Sequence, residues 1–281
     1  MQAQTTIIMD LRLDVKQVLR SKLKNKADKI PSFIVNYLIR IVHQDELNHI
    51  LEIYKDLDGF AFMEALVTDY FKVRLEVINE ENIPAGDKKY IFASNHPLGG
   101  FDGICLSYLI GKYYDGKIKC LVNDLLLAIT NLRSIFTPVN KHGAQSKEAY
   151  LEMEDAFQSD NQIITFPAGL CSRKQKGAIR DLQWKKSFIQ KAVEYQRDII
   201  PVYFDGRNSN FFYRLANFRK FFNIKMNIEM LYLPDELFKQ KKKTFYIHIG
   251  KPVPWQTFDA SKKPLEWAEW VKEEVYKQSI N

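Results

Sequence analysis

The spacing of apolar positions changes near residue 72 of this 281-residue chain. Before that point they recur at helical intervals. Asp14 opens a highly charged stretch, Pro31 introduces an apolar segment over 32–42, and Asp45 stands as N-cap for a helix over 46–57. Asp58-Gly59 closes that helix, and another is expected over 61–71. From residue 72 onward, short apolar runs at 72–78, 90–93, 117–122, 161–166, 198–204, 227–233 and 244–249 read as strands. Helical patterns at 103–114, 145–159 and 185–196 alternate with them, and a last helix covers 264–278. Such alternation predicts an α/β fold with a mixed, largely parallel sheet flanked by helices, behind a helical N-terminal section. The expected division is 1–74, a helical section suited to membrane or substrate docking, and 75–281, the α/β domain.

The chain is long enough to bury a substantial core. Its net charge of +7 favours an anionic partner, such as nucleic acid, anionic lipid, an acidic carrier protein or a phosphorylated cofactor, without choosing among them. Three cysteines, Cys105, Cys120 and Cys171, are odd in number and show no CxxC spacing. A disulfide framework is therefore not expected, and a reducing cytoplasm is the simplest setting. The N-terminus lacks the layout of a signal peptide, and no apolar run is long enough to span a bilayer, so a soluble or peripheral protein is expected. There is no GxxxxGK[ST] or GxGxxG fingerprint, and the histidines show no metal-type spacing.

Chemistry concentrates in four places. Residues 94–103 read Ser-Asn-His-Pro-Leu-Gly-Gly-Phe-Asp-Gly, placing His96 and Asp102 a short loop apart where an apolar strand ends. An imidazole titrates near neutrality and needs a partner to fix its tautomer, which Asp102 could supply. The residues alone leave two readings equal: a catalytic pair, or a strand-end hydrogen bond with Asp102 capping the next helix. A second strand runs into Pro167-Ala168-Gly169-Leu170-Cys171-Ser172-Arg173-Lys174, which reads either as an anion site or as a turn followed by a solvated basic patch. Cys171 as a nucleophile lacks the second glycine of an elbow motif. The third place is 134–143, a polar turn ending in Lys141 and His142. The fourth is 205–222, where Phe211, Leu215, Phe218 and Phe222 share a helical face and Arg214 and Lys220 supply charge. That helix suits either a membrane interface or core packing. Single-stranded nucleic acid ranks lower, since no RRM or zinc-finger signature is present.

Taken in order, the first three places resemble the blocks of the PlsC-like glycerolipid acyltransferase superfamily, which includes the lysophosphatidate acyltransferases. Asn95-His96 through Asp102 is similar to the first block, Ile135-Phe136 through Lys141 to the second, Phe166-Pro167-Ala168-Gly169 through Arg173 to the third, and Ile200-Pro201-Val202 to the fourth. The form Asn-His-Pro-Leu-Gly-Gly-x-Asp-Gly is closest to a bacterial glycerol acyltransferase-like branch related to enzymes acylating amino-acid lipids. The resemblance implies His96 as general base and Asp102 as its orienting acid, with Asn95, Gly99, Gly100, Lys141, Gly169, Ser172 and Arg173 around the substrate. It implies no metal and no cofactor beyond an acyl-CoA or acyl carrier protein thioester as co-substrate. It also implies a lipid acceptor, an anionic membrane surface on the cytoplasmic side and no nucleic acid. Five residues separate His96 from Asp102 where the family has four, Ala168 replaces the third block's glutamate, and Lys141 stands where arginine is usual. Lysine cannot reproduce arginine's bidentate fork. The catalytic half is thus expected to be retained and the acceptor half altered, toward a hydroxyl on an acylated amino acid. A Cys or Ser lipid hydrolase and a non-catalytic lipid-binding protein are the rival classes.

Overall fold

The computed structural model describes residues 12–122, 129–139, 147–175 and 177–280. It divides into two compact units, one ending at Asp56 and one beginning at Leu57. In the first, α1 (Val15–Leu23), α2 (Ser32–Ile41) and α3 (Gln44–Ile53) follow one another. Asp14 caps α1 by accepting from the amides of Lys16 and Gln17. The cap of α3 is not Asp45, which lies in its first turn. The helix starts after His43, whose left-handed backbone (φ 54°) turns the chain. On α2, Phe33, Ile34 and Tyr37 are exposed.

The second unit opens with α4 (Gly59–Glu64), which runs into a π-helical turn over Ala65–Tyr70. Phe62, Met63 and Val67 are buried there, packed in the same unit as the sheet. The compact division therefore falls earlier than the expected 74/75. The rest of this unit contains β1 (Arg74–Ile78), β2 (Tyr90–Ser94), α5 (Phe101–Tyr113), β3 (Ile118–Val122), β4 (Phe136–Pro138), α6 (Lys147–Gln158) and β5 (Gln162–Thr165). It continues with β6 (Arg173–Gln175), β7 (Ala178–Arg180), α7 (Ser187–Glu194), β8 (Asp198–Asp205), α8 (Asn210–Phe221), α9 (Leu233–Phe238), β9 (Thr244–Ile249) and α10 (Pro264–Lys277).

Among the described residues, seven strands form one sheet in the order β1-β9-β8-β2-β5-β3-β4, and β6 with β7 makes a separate hairpin. All neighbours in the large sheet are parallel except β8 and β9, so β1 and β9 run against the other five. The fold is thus α/β with a mixed, largely parallel sheet. Central β2 is buried along its whole length, as its unbroken apolar run requires in a sheet covered on both faces. One core cluster packs Ile91, Ile163 and Ile199 of β2, β5 and β8 against Trp184, Phe188, Val271 and Val275. The expected strand at 227–233 is a 3-10 turn over Ile228–Tyr232. Pro234 in the first turn of α9 commits the chain to a helix there, and Glu229 turns inward as a buried carboxylate.

Candidate active site

The carboxyl ends of the parallel strands β8, β2 and β5 lie side by side, the usual place for a ligand in a sheet of this kind. His96 follows β2 there. Its Nδ1 lies 3.1 Å from both carboxylate oxygens of Asp102. Among the described residues Nε2 has no hydrogen-bond partner. The ring is mostly buried, and Phe166, just past β5, stacks against it with centroids 4.4 Å apart. The five intervening residues do not keep the pair apart, because the chain folds back at Gly99 and Gly100, where φ is +73° and +153°. A side chain at Gly99 would also sit 3.0 Å from Cys171 Cβ and from Leu233.

Asp102 is fully buried in the first turn of α5. Its Oδ2 accepts from the amides of Leu98 (2.9 Å) and Gly99 (3.3 Å), and its Oδ1 from those of Gly100 (3.1 Å) and Gly103 (2.8 Å). Burial by itself would raise this carboxyl. The His96 charge and hydrogen bond and the backbone donors outweigh it and hold the group below the usual carboxylate range. The amides of Gly99 and Gly100, two residues the resemblance places around the substrate, are thus directed at Asp102.

The other expected residues sort themselves by contact. Asn95 is buried, and its side-chain amide gives to the Phe204 carbonyl (3.0 Å) and takes from the Phe204 amide (2.7 Å), adding a rung between β2 and β8. Gly169 closes the turn after β5, its amide donating to the Phe166 carbonyl at 2.9 Å. The Ser172 amide donates to the His96 carbonyl at 2.7 Å, so the third block lies directly against the histidine loop. Arg173, read from the sequence either as part of an anion site or as a solvated cation and implied by the resemblance to lie near the substrate, is buried. It gives Nη1 to the Cys171 carbonyl (2.6 Å) and Nη2 to Glu229 (2.9 Å), a carboxylate that also pairs with Arg219. An arginine committed this way cannot serve as an open anion site. Lys141 lies outside the described residues.

Sequence reasoning missed Asp181, the residue just after β7. Its Oδ1 accepts from the His96 amide (3.2 Å) and the Ser172 hydroxyl (2.6 Å), and its Oδ2 from the Trp184 indole (2.9 Å). Burial raises its carboxyl above the ordinary value, with Ser172, Trp184 and His96 working the other way. His96 is thus held on both backbone sides, its N–H by Asp181 and its C=O by Ser172. A local signal for this was absent, since the β6–β7 hairpin delivers Asp181 from outside any recognisable block.

Cys171 is fully buried against Arg173 and Met230, and burial pushes its thiol up to about 11. A thiol of that kind is a poor nucleophile, which removes the main support for the hydrolase class. The other two cysteines are likewise buried free thiols. Among the described residues no group of three or more His, Cys, Asp or Glu stands together as a metal site, and no helix is long and apolar enough to cross a membrane. Beside the histidine loop lies a cleft of about 280 Å³ lined by Asn95, Pro97, Ser172, Tyr203, Asp205 and Arg207.

A histidine with one nitrogen oriented by a buried carboxylate and the other without a protein partner can take a proton and return it. The acyltransferase family profile matches residues 17–281. The lyso-glycine lipid O-acyltransferase of Bacteroides thetaiotaomicron is 53% identical over 265 residues, 94% of this chain and 97% of that protein. The lyso-glycine lipid O-acyltransferase of Phocaeicola vulgatus is 50% identical over 265 residues, 94% of each. The crystal structure of the 1-acyl-sn-glycerophosphate acyltransferase PlsC from Thermotoga maritima has a TM-score of 0.50 at 16% identity, over 95% of both chains, a likeness of fold.

Proposed function

Because the chain belongs to the acyltransferase family, we propose that it moves a fatty acyl group from an acyl thioester to the hydroxyl of a lyso-lipid whose polar end is an acylated amino acid. The supporting observation is the His96–Asp102 pair. His96 Nε2 removes the acceptor hydroxyl proton while Asp102 holds Nδ1 and the charge that forms. The acceptor oxygen attacks the thioester carbonyl. As the tetrahedral intermediate collapses, the C–S bond breaks and the imidazolium protonates the departing thiolate, so an ester and a thiol leave and the histidine is restored. No covalent acyl-enzyme is needed.

The acceptor follows from the site's polar inventory and from what the relatives are named for. Arg173 is sequestered by Glu229, and the bidentate phosphate fork expected of arginine in the second block is replaced by lysine at position 141. Both changes weaken the case for a phosphate-bearing acceptor. The cleft beside the loop, with Arg207 at its edge, is where the acceptor's polar end is proposed to seat. The donor is an acyl carrier protein or CoA thioester, met at a membrane surface.

Purified enzyme would be given an acyl thioester and either a lyso-glycine lipid or lysophosphatidate, with the ester product measured by mass spectrometry. The expected result is selective acylation of the glycine lipid, lost in His96→Ala by about a hundred- to ten-thousand-fold. Preferred turnover of lysophosphatidate would overturn the acceptor. Undiminished turnover by folded His96→Ala would overturn the base.

A further inference from the structure

Helix α8 does not bury the face that its aromatic spacing suggests. Phe212, Tyr213 and Ala216 point inward, Phe212 and Tyr213 packing with Cys171. Phe211, Phe218, Phe221 and Phe222 are exposed, as are Ile224 and Met226 in the turn that follows. Phe221 is 83% exposed and Met226 64%. The Phe222 ring lies 4.5 Å from that of Phe218 and 5.1 Å from that of Phe221, so the three make one aromatic cluster. Leaving so much contiguous apolar surface in water is costly for a folded protein, and such patches mark interaction sites.

The charge around the cluster is of one sign. From Asn210 to Ile228 the chain has no acidic residue. Arg214, Lys220 and Lys225 are exposed, while Arg219 turns inward to pair with Glu229 at 2.9 Å. Arg219 also donates to the Ile224 carbonyl at 3.0 Å, fixing the turn that carries the exposed side chains. The surface is therefore formed in advance rather than assembled on contact. A symmetric contact with a second copy would bring these cations against themselves. A bilayer with anionic headgroups accommodates both features, seating the aromatic rings at headgroup depth and pairing the cations with phosphate.

We propose that the outer face of α8 with the turn to Met226 docks the protein on an anionic lipid bilayer, Phe221, Phe222 and Met226 entering the interface and Arg214, Lys220 and Lys225 meeting lipid headgroups. The inference rests on reading the acceptor as a membrane lipid. The connection to the site is short: Arg219 and Arg173 share Glu229, and Arg173 follows Ser172, whose amide is bonded to the His96 carbonyl. Docking through this face therefore holds the histidine loop close to the bilayer from which the acceptor is drawn.

The test is co-sedimentation of the full chain with phosphatidylcholine vesicles, with and without about a third phosphatidylglycerol. Phe221→Ser combined with Met226→Ser is expected to weaken binding to the anionic vesicles by about tenfold or more. Lys220→Glu combined with Lys225→Glu is expected to erase the preference for anionic lipid. These side chains are exposed, so melting temperature is expected to stay unchanged, as is acyl transfer to acceptor dispersed in detergent micelles. Wild-type vesicle binding by both variants overturns the proposal. So does a change in sedimentation coefficient showing that the variants break a dimer, or a loss confined to reactions with acyl carrier protein as donor. The micelle assay separates the two readings. Without transfer there, the functional reading falls while vesicle binding still decides the surface. With transfer intact and binding indifferent to the variants, the surface alone falls.

Discussion

Asp102→Asn is the most informative single change because the carboxylate is surrounded by donors. Two backbone amides point at each oxygen, and His96 Nδ1 lies 3.1 Å from both. An asparagine keeps one acceptor and puts an NH2 where the other was. Whichever way it turns, two buried N–H groups then face a donor. At about 1–3 kcal/mol for each unsatisfied buried group, the variant should lose on the order of 2–6 kcal/mol, a large part of a typical domain's stability. The loss should depend on pH in a defined direction. The folded-state pKa of Asp102 lies below the ordinary 3.8, so its ionised form stabilises the folded protein above that value. This contribution fades as pH falls through the folded-state pKa. Urea denaturation of both proteins should therefore show a full gap near neutrality that narrows below about pH 4. Acyl transfer should fall further than stability alone explains, severely but by less than in His96→Ala, since the imidazole loses the group that fixes its tautomer. A gap that stays constant or widens on acidification, or a folded variant with undiminished transfer, would refute this account of the site.

Three further changes probe its surroundings. Asp181→Asn keeps an acceptor for His96 and Ser172 but turns an NH2 toward the Trp184 indole N–H, at a cost of about 1–3 kcal/mol. Its kcat should drop while KM holds, and a rise in KM with kcat unchanged would show that the residue does not position the histidine. Gly99→Ala forces a Cβ to 3.0 Å from Cys171 and Leu233 at a positive φ, so melting temperature and activity should fall together by about 1–3 kcal/mol equivalent. Cys171→Ala should retain transfer within a few-fold, and iodoacetamide should leave Cys171 unlabelled in native enzyme; an acyl adduct on Cys171 would reverse the conclusion.

The central sheet was legible because β2, β5 and β8 each carry a short apolar core, Ile-Phe-Ala, Ile-Ile and Ile-Ile-Pro-Val, between polar or turn residues. Strands of three residues, such as β4, β6 and β7, are too short to show a period. His96 and Asp102 were legible as a pair because the glycines between them can fold the chain back on itself. The charges were harder to read. Arg173 sits in a run of cations that looks solvated, and its partner Glu229 lies 56 positions away in a segment that alternates like a strand. The pairing of Asn95 with the Phe204 backbone was hidden for a similar reason, since the two lie 109 positions apart. Long-range polar pairing leaves no periodic trace, so it is visible only once the fold has brought the partners together.

The Gly-Gly run at 99 and 100 has one consequence beyond bringing the pair into contact. Two adjacent glycines ordinarily give a loop many accessible conformations, and ordering them for each turnover would oppose the reaction entropically. Here both amides, with those of Leu98 and Gly103, are fastened to one carboxylate, that of Asp102 at the start of α5. That conformational freedom is lost once, during folding. In the proposed reaction each substrate would then meet an imidazole already aimed, its binding energy left for aligning its own hydroxyl with the thioester carbon.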